Sequence, residues 1–401
     1  MKTAVIFFRS PNMYFDGEFY GNAISVLLSG GITVDRVEIV NSSDEGEFVR
    51  RLEDIRNVFD NLIILDGEKC TFDLKEMICD RMETVLEENE NAKSLVKAAS
   101  IAMGVPCEEK YANLPSDSTI IPNHKGVYQG YLMDAEDFTL AVIPENYVEF
   151  KSAAEEYLLP YLKNKFQLDG TVLTLKYFGN VKRAEQALKN AAEKFNGIEY
   201  TVCSKHGDVT INIAFDKSVS ADDKITFNRE VLSELKDDVY AEFSTTLAER
   251  LLDVLKLKKL KLAIAESFTG GGVTNSIVKL SGASEFLTEG LVTYANESKI
   301  KRLGVEEKAI FTQGAVSSTV AYQMAAGLLK SGRCDVAIAT TGIAGPNLDG
   351  TDKPVGLGYI AVGMKDGVHT YRYNFSGSRE EIMETAKNTA LFLAIKKLKN
   401  V

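Results

Sequence analysis

Histidine is scarce: His124, His206 and His369 are the only three in 401 residues. A histidine-rich metal centre is therefore not expected. Nor is a Ser/His/Asp triad, because two of the three lie in other segments and His369 sits inside GVHTYRY, with no strand-end loop to present it. The five cysteines (Cys70, Cys79, Cys107, Cys203, Cys334) are scattered without a C-x-x-C pair. That removes a disulfide framework and a thiolate zinc site, and it fits a reducing cytoplasm. No run of about 18 apolar residues occurs, and the apolar start of MKTAVIFFRSP is cut short by Arg9 and Pro11, so neither a membrane span nor a signal peptide is expected. A basic excess is missing too. With 57 acidic against 46 basic residues and a net charge of -11, nucleic acid and anionic membranes are not the default partners. Fixed-period repeats and low-complexity tracts are absent as well.

What is present is enough apolar residue, 45% of the chain, for two or three cores. The fold class expected is α/β in three domains. Residues 1–168 alternate strand (TAVIFF), helix (GNAISVLLSGG), strand (VDRVEIV), helix (EGEFVRRLEDIRNVF) and strand (NLIILDG), the pattern of an open α/β sheet. Residues 169–245 read as strand, helix, two strands and helix, a small α+β module whose hairpin turn is KHGD. Residues 246–401 return to α/β alternation. The lysines at 256–261 read as a solvated helix end facing the C-terminal dipole.

In open α/β sheets ligands collect where strands end and helices begin. The last domain places its unusual residues there. Its strand LAIAE runs into Ser267 and then FTGGG, so amides from Phe268 to Gly271 offer a phosphate or oxyanion cradle. Helix capping by Ser267 or Thr269 explains the same residues equally well. A serine nucleophile needs a base. With histidine missing, Lys299 in VTYANESK is the candidate: Asn296 reads as an N-cap, which puts Lys299 in a first helical turn, where dipole and burial both favour the neutral amine. An ordinary exposed lysine is the competing explanation. Arg379 in FSGSRE stands at a helix start and suits a phosphate or carboxylate clamp, or else a loose pairing with Glu380, Glu381 or Glu384. The loop TGIAGPNLDGTDKPVG permits close backbone approach to a ligand, or is a plain connection.

Taken in order, AESFTGG, EGLVTYANESK, GAVS, TTGIAGP, KPVG and FSGSR resemble the C-terminal domain of the CinA family over residues 248–401. The resemblance implies a C-terminal α/β/α amidohydrolase domain that converts nicotinamide mononucleotide to nicotinate mononucleotide and ammonia with a Ser/Lys pair. It implies Ser267, Lys299 and Tyr294 as catalytic residues. It also puts Thr269, Gly270, Gly271, Thr341, Gly342 and Arg379 at the substrate, with no metal or other cofactor needed. Phe268 stands where the family commonly has Cys or Leu, so an altered pocket wall is expected. The partner implied is a pyridine mononucleotide, and a homodimer or larger homo-oligomer is a family expectation.

The preceding segments also resemble CinA: a molybdopterin-biosynthesis-like domain, traced in STIIPNHKGVYQGYLMDAEDFTLAVIPENYVEFKSAAEEYLLPYL, and a KH-like module, traced in TLKYFG. The expected Gly-Thr-Glu turn is replaced by FRSPNMYFDGE, and a Gly-Gly-x-Gly-Pro-Thr-x-Asp-Asp stretch by LDGEKCTFDLKE. Those losses argue against a pyrophosphate cradle and a divalent metal there, leaving Asp66, Glu68 and Asp73 as solvated loop carboxylates or a weak site. A missing G-x-x-G argues against RNA binding by the module. Two alternatives stay beside the amidase: a metal-dependent ADP-ribose pyrophosphatase in the N-domain, and a non-catalytic binding protein connected with competence or DNA damage.

Overall fold

The computed structural model describes residues 1–10, 17–66, 68–135, 137–167, 171–347 and 352–399. The chain divides into two compact units, Met1–Val172 with Ala214–Lys217, and Leu173–Ile213 with Ser218–Val401.

In the first unit a six-stranded sheet runs in the order Arg36–Asn41, Thr3–Arg9, Asn61–Asp66, Thr139–Pro144, Gly130–Asp134 and Ser118–Ile121. The first four strands are parallel, and Gly130–Asp134 pairs antiparallel with both of its neighbours. Strands covered on both faces read as unbroken apolar runs, and NLIILD is buried along its whole length. Alternate residues serve opposite layers. Val5 and Phe7 pack with Phe19, Ala23 and Leu27, whereas Ala4, Ile6 and Phe8 pack with Phe48, Leu52 and Ile55.

The second unit holds one complete sheet and a smaller one, save for the strand-end residues Thr171, Val172, Ala214 and Phe215, which fall in the first unit. The smaller is ordered Ile198–Lys205, Asp208–Phe215, Thr171–Phe178 and Val239–Ala241. Its hairpin turns at the expected KHGD, where His206 and Gly207 both take positive φ, 49° and 81°, the pairing that a two-residue turn between twisted strands requires. Tyr240 and Ala241 belong to the same apolar core as the helix Arg379–Lys399, and Phe178 stacks on Phe392 with ring centroids 4.7 Å apart.

The larger sheet runs Leu287–Val292, Leu262–Glu266, Val336–Gly342, Leu357–Met364 and Gly367–Asn374, the first three parallel and Leu357–Met364 antiparallel to both of its neighbours. Its central strands alternate large and small residues. Ile264, Ile338, Ile360 and Val362 face the helices Leu247–Lys258, Gly272–Val278 and Arg379–Lys399. Ala263, Ala265, Ala337, Ala339 and Ala361 face the helix Ser318–Lys330, whose own Ala321 and Ala325 let it lie close. The helix Leu247–Lys258 is started by a capping box between Thr246 and Glu249. His369 lies on the edge strand Gly367–Asn374, away from the strand ends where helices begin.

Helix Ser318–Lys330 supports the end of the short helix Asn296–Leu303 at Gly327, where an added Cβ would lie 2.0 Å from the Leu303 carbonyl oxygen. Backbone cannot yield there as a side-chain tip can. Gly327→Ala is therefore expected to cost about 1–3 kcal/mol of stability through overpacking, measurable as a lower urea midpoint with unchanged slope.

Candidate active site

Three parallel strands end together. The Ser267 amide donates to Thr340 O at 3.0 Å and the Thr293 amide to Glu266 O at 2.8 Å, so the segments after all three strands are tied at one level. Lys299, in the first turn of Asn296–Leu303, reaches back into this junction. Its Nζ lies 3.1 Å from Ser267 Oγ, 2.8 Å from Thr293 O and 3.0 Å from Tyr294 O. Lys299 is only 1% exposed and Ser267 8%. The competing picture of an ordinary surface lysine does not describe this residue. One detail differs from expectation: the helix begins at Asn296 itself, its N-cap is Ala295, and no side chain caps it.

Burial pushes the Lys299 ammonium down to about 8, because desolvation penalises the charged form. The hydrogen-bond geometry suits both protonation states. An ammonium has three N–H donors for three oxygens, whereas a neutral amine gives its two N–H groups to the two carbonyls and turns its lone pair on the Ser267 hydroxyl.

The glycine loop is organised by a residue that pattern reading passed over. Glu266 is fully buried; its Oε2 accepts from the amides of Gly271 and Val273, and its Oε1 from the Thr274 amide and hydroxyl. The Gly270 amide closes a turn onto Ser267 O at 3.1 Å. Gly270 and Gly271, expected to present donors to a ligand, have thus already spent them. Among the described residues the amides left without a protein acceptor in this turn are those of Phe268 and Thr269. Positive φ at Gly270 and Gly271, 63° and 98°, is what bends the chain this tightly. Neither Ser267 nor Thr269 caps the helix: the N-cap is Gly271, and Thr269 Oγ1 bonds Thr340 Oγ1 at 2.7 Å. The signal for Glu266 was a carboxylate ending an otherwise apolar, fully buried strand, LAIAE.

Other expected residues divide. Thr341 is buried and donates to Ala315 O at 2.9 Å. Tyr294 meets Lys299 through its carbonyl, but its side chain is 65% exposed, so the phenol is not packed beside the pair. The Phe268 ring is buried with Ala344, Ile382 and Ala386. An added Cβ at Gly342 would meet this ring at 2.9 Å and one at Gly358 at 3.0 Å, so Gly342 makes room for Phe268. Arg379 opens the 21-residue helix and donates through Nη1 to Gly345 O. Of the carboxylates named as its alternative partners, Glu381 accepts from the Ser378 amide and Glu384 pairs with Lys387. One turn beyond Arg379, Met383 reaches 3.4 Å from where a Gly270 Cβ would stand, so the helix start lies against the glycine loop. Residues 348–351 of the loop TGIAGPNLDGTDKPVG lie outside the described residues.

In the first unit, Asp66 is buried and accepts from Tyr128 Oη at 2.6 Å and the Glu68 amide at 2.8 Å; burial raises its carboxyl above the usual range. Glu68 accepts from Tyr111 Oη, and Asp73 caps the helix Leu74–Met82. Asp66 is thus withdrawn from solvent, whereas Glu68 and Asp73 are exposed, as expected of loop carboxylates, each with a protein partner. Among the described residues no three His, Cys, Asp or Glu side chains gather as a metal would require. The replaced turn FRSPNMYFDGE falls largely on residues 11–16, and Gly67 of LDGEKCTFDLKE is also outside the described residues.

The fold and site together define an α/β protein with a serine and a buried lysine paired at the ends of parallel strands. Residues 244–398 match the family model of the CinA C-terminal domain. A competence-damage inducible protein of Caldicellulosiruptor saccharolyticus is 33% identical over 341 residues, 83% of each chain. One of Clostridium acetobutylicum is 32% identical over 289 residues, covering 71% of this chain and 70% of that one. Among solved structures, competence/damage inducible protein CihA from Agrobacterium tumefaciens is 35% identical, with a TM-score of 0.37 over 39% of this chain and 99% of its own. The chain belongs to the CinA, or competence-damage inducible, family. No helix among the described residues is long and apolar enough to cross a membrane.

A lysine that folds with its pKa lowered from 10.5 to about 8 binds fewer protons in the native than in the unfolded chain between those values. Its contribution to stability is therefore least favourable below pH 8 and improves as pH rises from about 8 to about 10.5. The unfolding free energy of the parent minus that of Lys299→Met is expected to increase across that window in urea titrations. A difference independent of pH would show that the lysine folds with an ordinary pKa.

Proposed function

We propose that the C-terminal domain is an amidohydrolase that converts nicotinamide mononucleotide to nicotinate mononucleotide and ammonia in pyridine-nucleotide salvage. The observation that carries this reading is the 3.1 Å approach of Lys299 Nζ to Ser267 Oγ in a buried junction, with the amine anchored by two carbonyls. A serine hydroxyl becomes a nucleophile when a base stands within hydrogen-bond reach, and here the base is an amine whose pKa lies near neutrality.

In the reaction, Ser267 Oγ bonds to the carboxamide carbon while its proton passes to neutral Lys299. The carbonyl oxygen takes up the negative charge and accepts hydrogen bonds from the Phe268 and Thr269 amides, the donors left free in the turn. Lys299 then gives its proton to the departing nitrogen, the C–N bond breaks and ammonia leaves. Water attacks the resulting ester with Lys299 again as base, releasing the acid and restoring Ser267. The cationic pyridinium ring withdraws electrons from the amide, which favours a pyridinium nucleotide over a neutral amide as substrate. Arg379, with guanidinium N–H groups beyond the one used on Gly345, holds the 5′-phosphate and fixes the distance between ring and serine. Thr341 lines the same strand end. The chemistry calls on no cofactor, and the reading includes a cytoplasmic homodimer or larger homo-oligomer acting on a free nucleotide.

Ammonia release from nicotinamide mononucleotide by the full chain tests this. Ser267→Ala and Lys299→Ala are each expected to lower kcat by about 10²–10⁴-fold. The parent kcat/KM should rise from pH 7 and level off above about 8, as Lys299 loses its proton, and a chelator should leave the rate unchanged. Parent-like rates in both variants would end the proposal.

A further inference from the structure

The loop after Leu262–Glu266 has the look of an anion cradle, yet its anion is built in. Glu266 is fully buried and collects three helix-start amides, those of Gly271, Val273 and Thr274, together with the Thr274 hydroxyl, at 2.7–3.1 Å. A buried carboxylate is tolerable only with such a set of donors, and charge-assisted bonds of this kind are the strong ones. The consequence is a division of labour along seven residues. Amides 271, 273 and 274 face the carboxylate, amide 270 closes onto Ser267 O, amide 272 onto Thr269 O, and amides 268 and 269 remain unpartnered beside Ser267.

We infer that Glu266 is a positioning residue for the nucleophile: by gathering the helix-start amides it holds the turn in the shape that leaves the Phe268 and Thr269 amides free to receive an oxyanion. This rests on the reading of Ser267 as nucleophile. It also assigns the substrate's phosphate to Arg379 rather than to the glycine loop, since the loop's outer donors face an internal carboxylate that would repel a phosphate. Glutamine in place of Glu266 keeps the shape but presents an NH₂ group where a carboxylate oxygen now accepts amide protons, setting donor against donor on one side of the cradle. Valine in place of Thr274 removes only one of the four bonds and keeps the side-chain volume.

A sulfonyl fluoride probe tests this without depending on the substrate's identity. Phenylmethanesulfonyl fluoride forms an Oγ–S bond at a reactive serine as the S–F bond breaks, with the proton passing to the base. Labelling of Ser267 in the full chain is followed by mass spectrometry against probe concentration, in the parent, Glu266→Gln, Thr274→Val and Ser267→Ala. The expected result is that Glu266→Gln lowers the limiting rate constant of the folded fraction at least tenfold with the half-saturating probe concentration within about twofold of the parent. Thr274→Val should lower it about threefold. Amide hydrogen exchange at residues 271–274 should speed up in Glu266→Gln while the rest of the sheet keeps its protection. Labelling of the parent with rates unchanged in both variants would overturn the positioning role and leave the nucleophile intact. Failure to label the parent above Ser267→Ala would sink the nucleophile and the positioning role with it. If Glu266→Gln does not fold, the Thr274→Val rate decides: a loss supports the role and parity overturns it.

Discussion

The site depends on one arrangement: a lysine amine drawn out of water and held by two main-chain carbonyls. Thr293 O and Tyr294 O fix Nζ where the chain turns from strand to helix, and the third bond of the amine goes to Ser267 Oγ. Carbonyl acceptors cannot titrate. They orient the lysine without adding a negative charge that would hold its proton, so burial is left to lower the pKa unopposed. A carboxylate in either place would raise it again.

The second constraint is that the one buried carboxylate nearby in sequence is satisfied by other donors. Glu266 immediately precedes Ser267, yet its hydrogen bonds run forward to Gly271, Val273 and Thr274. The anion stabilises the loop, and the amine is left to the serine. Parallel strands make this segregation possible, because their ends bring three separate loops to one place without requiring them to share partners.

Much of this was legible in the sequence, for physical reasons that differ by residue. The strand and helix alternation of residues 246–401 carried the fold class, and the Ala/Ile alternation in LAIAE and VAIAT is the print of a sheet between unlike faces. The KHGD turn was legible because few residues other than glycine and small polar ones take positive φ there. Ser267 and Lys299 were found by asking what chemistry remains without histidine, although 32 positions separate them and only the strand order brings them together. Glu266 was passed over because a strand-end glutamate reads as solvent-facing; nothing local says that the chain curls back over it. The Tyr294 phenol was misplaced for another reason. Residue type in a motif does not tell whether the side chain or the backbone does the contacting, and here the tyrosine offers its carbonyl while the phenylalanine turns into the core. Gly270 and Gly271 were credited with ligand donors that the fold uses itself.

The Phe268 ring ties distant positions into a shared volume. It occupies the space that methyl groups at Gly342 and Gly358 would claim, on two other strands of the sheet. Bulk at 268 and bareness at 342 and 358 are thus three expressions of a single fit, and none can drift alone. Shrinking the aromatic would open a void that alanines at 342 and 358 could not simply fill, since an added Cβ would also lie 2.9 Å from Leu357 O at the first site and 2.9 Å from the Phe375 ring at the second. Main chain at one site and a second ring at the other therefore hold both positions to glycine even with a smaller residue at 268.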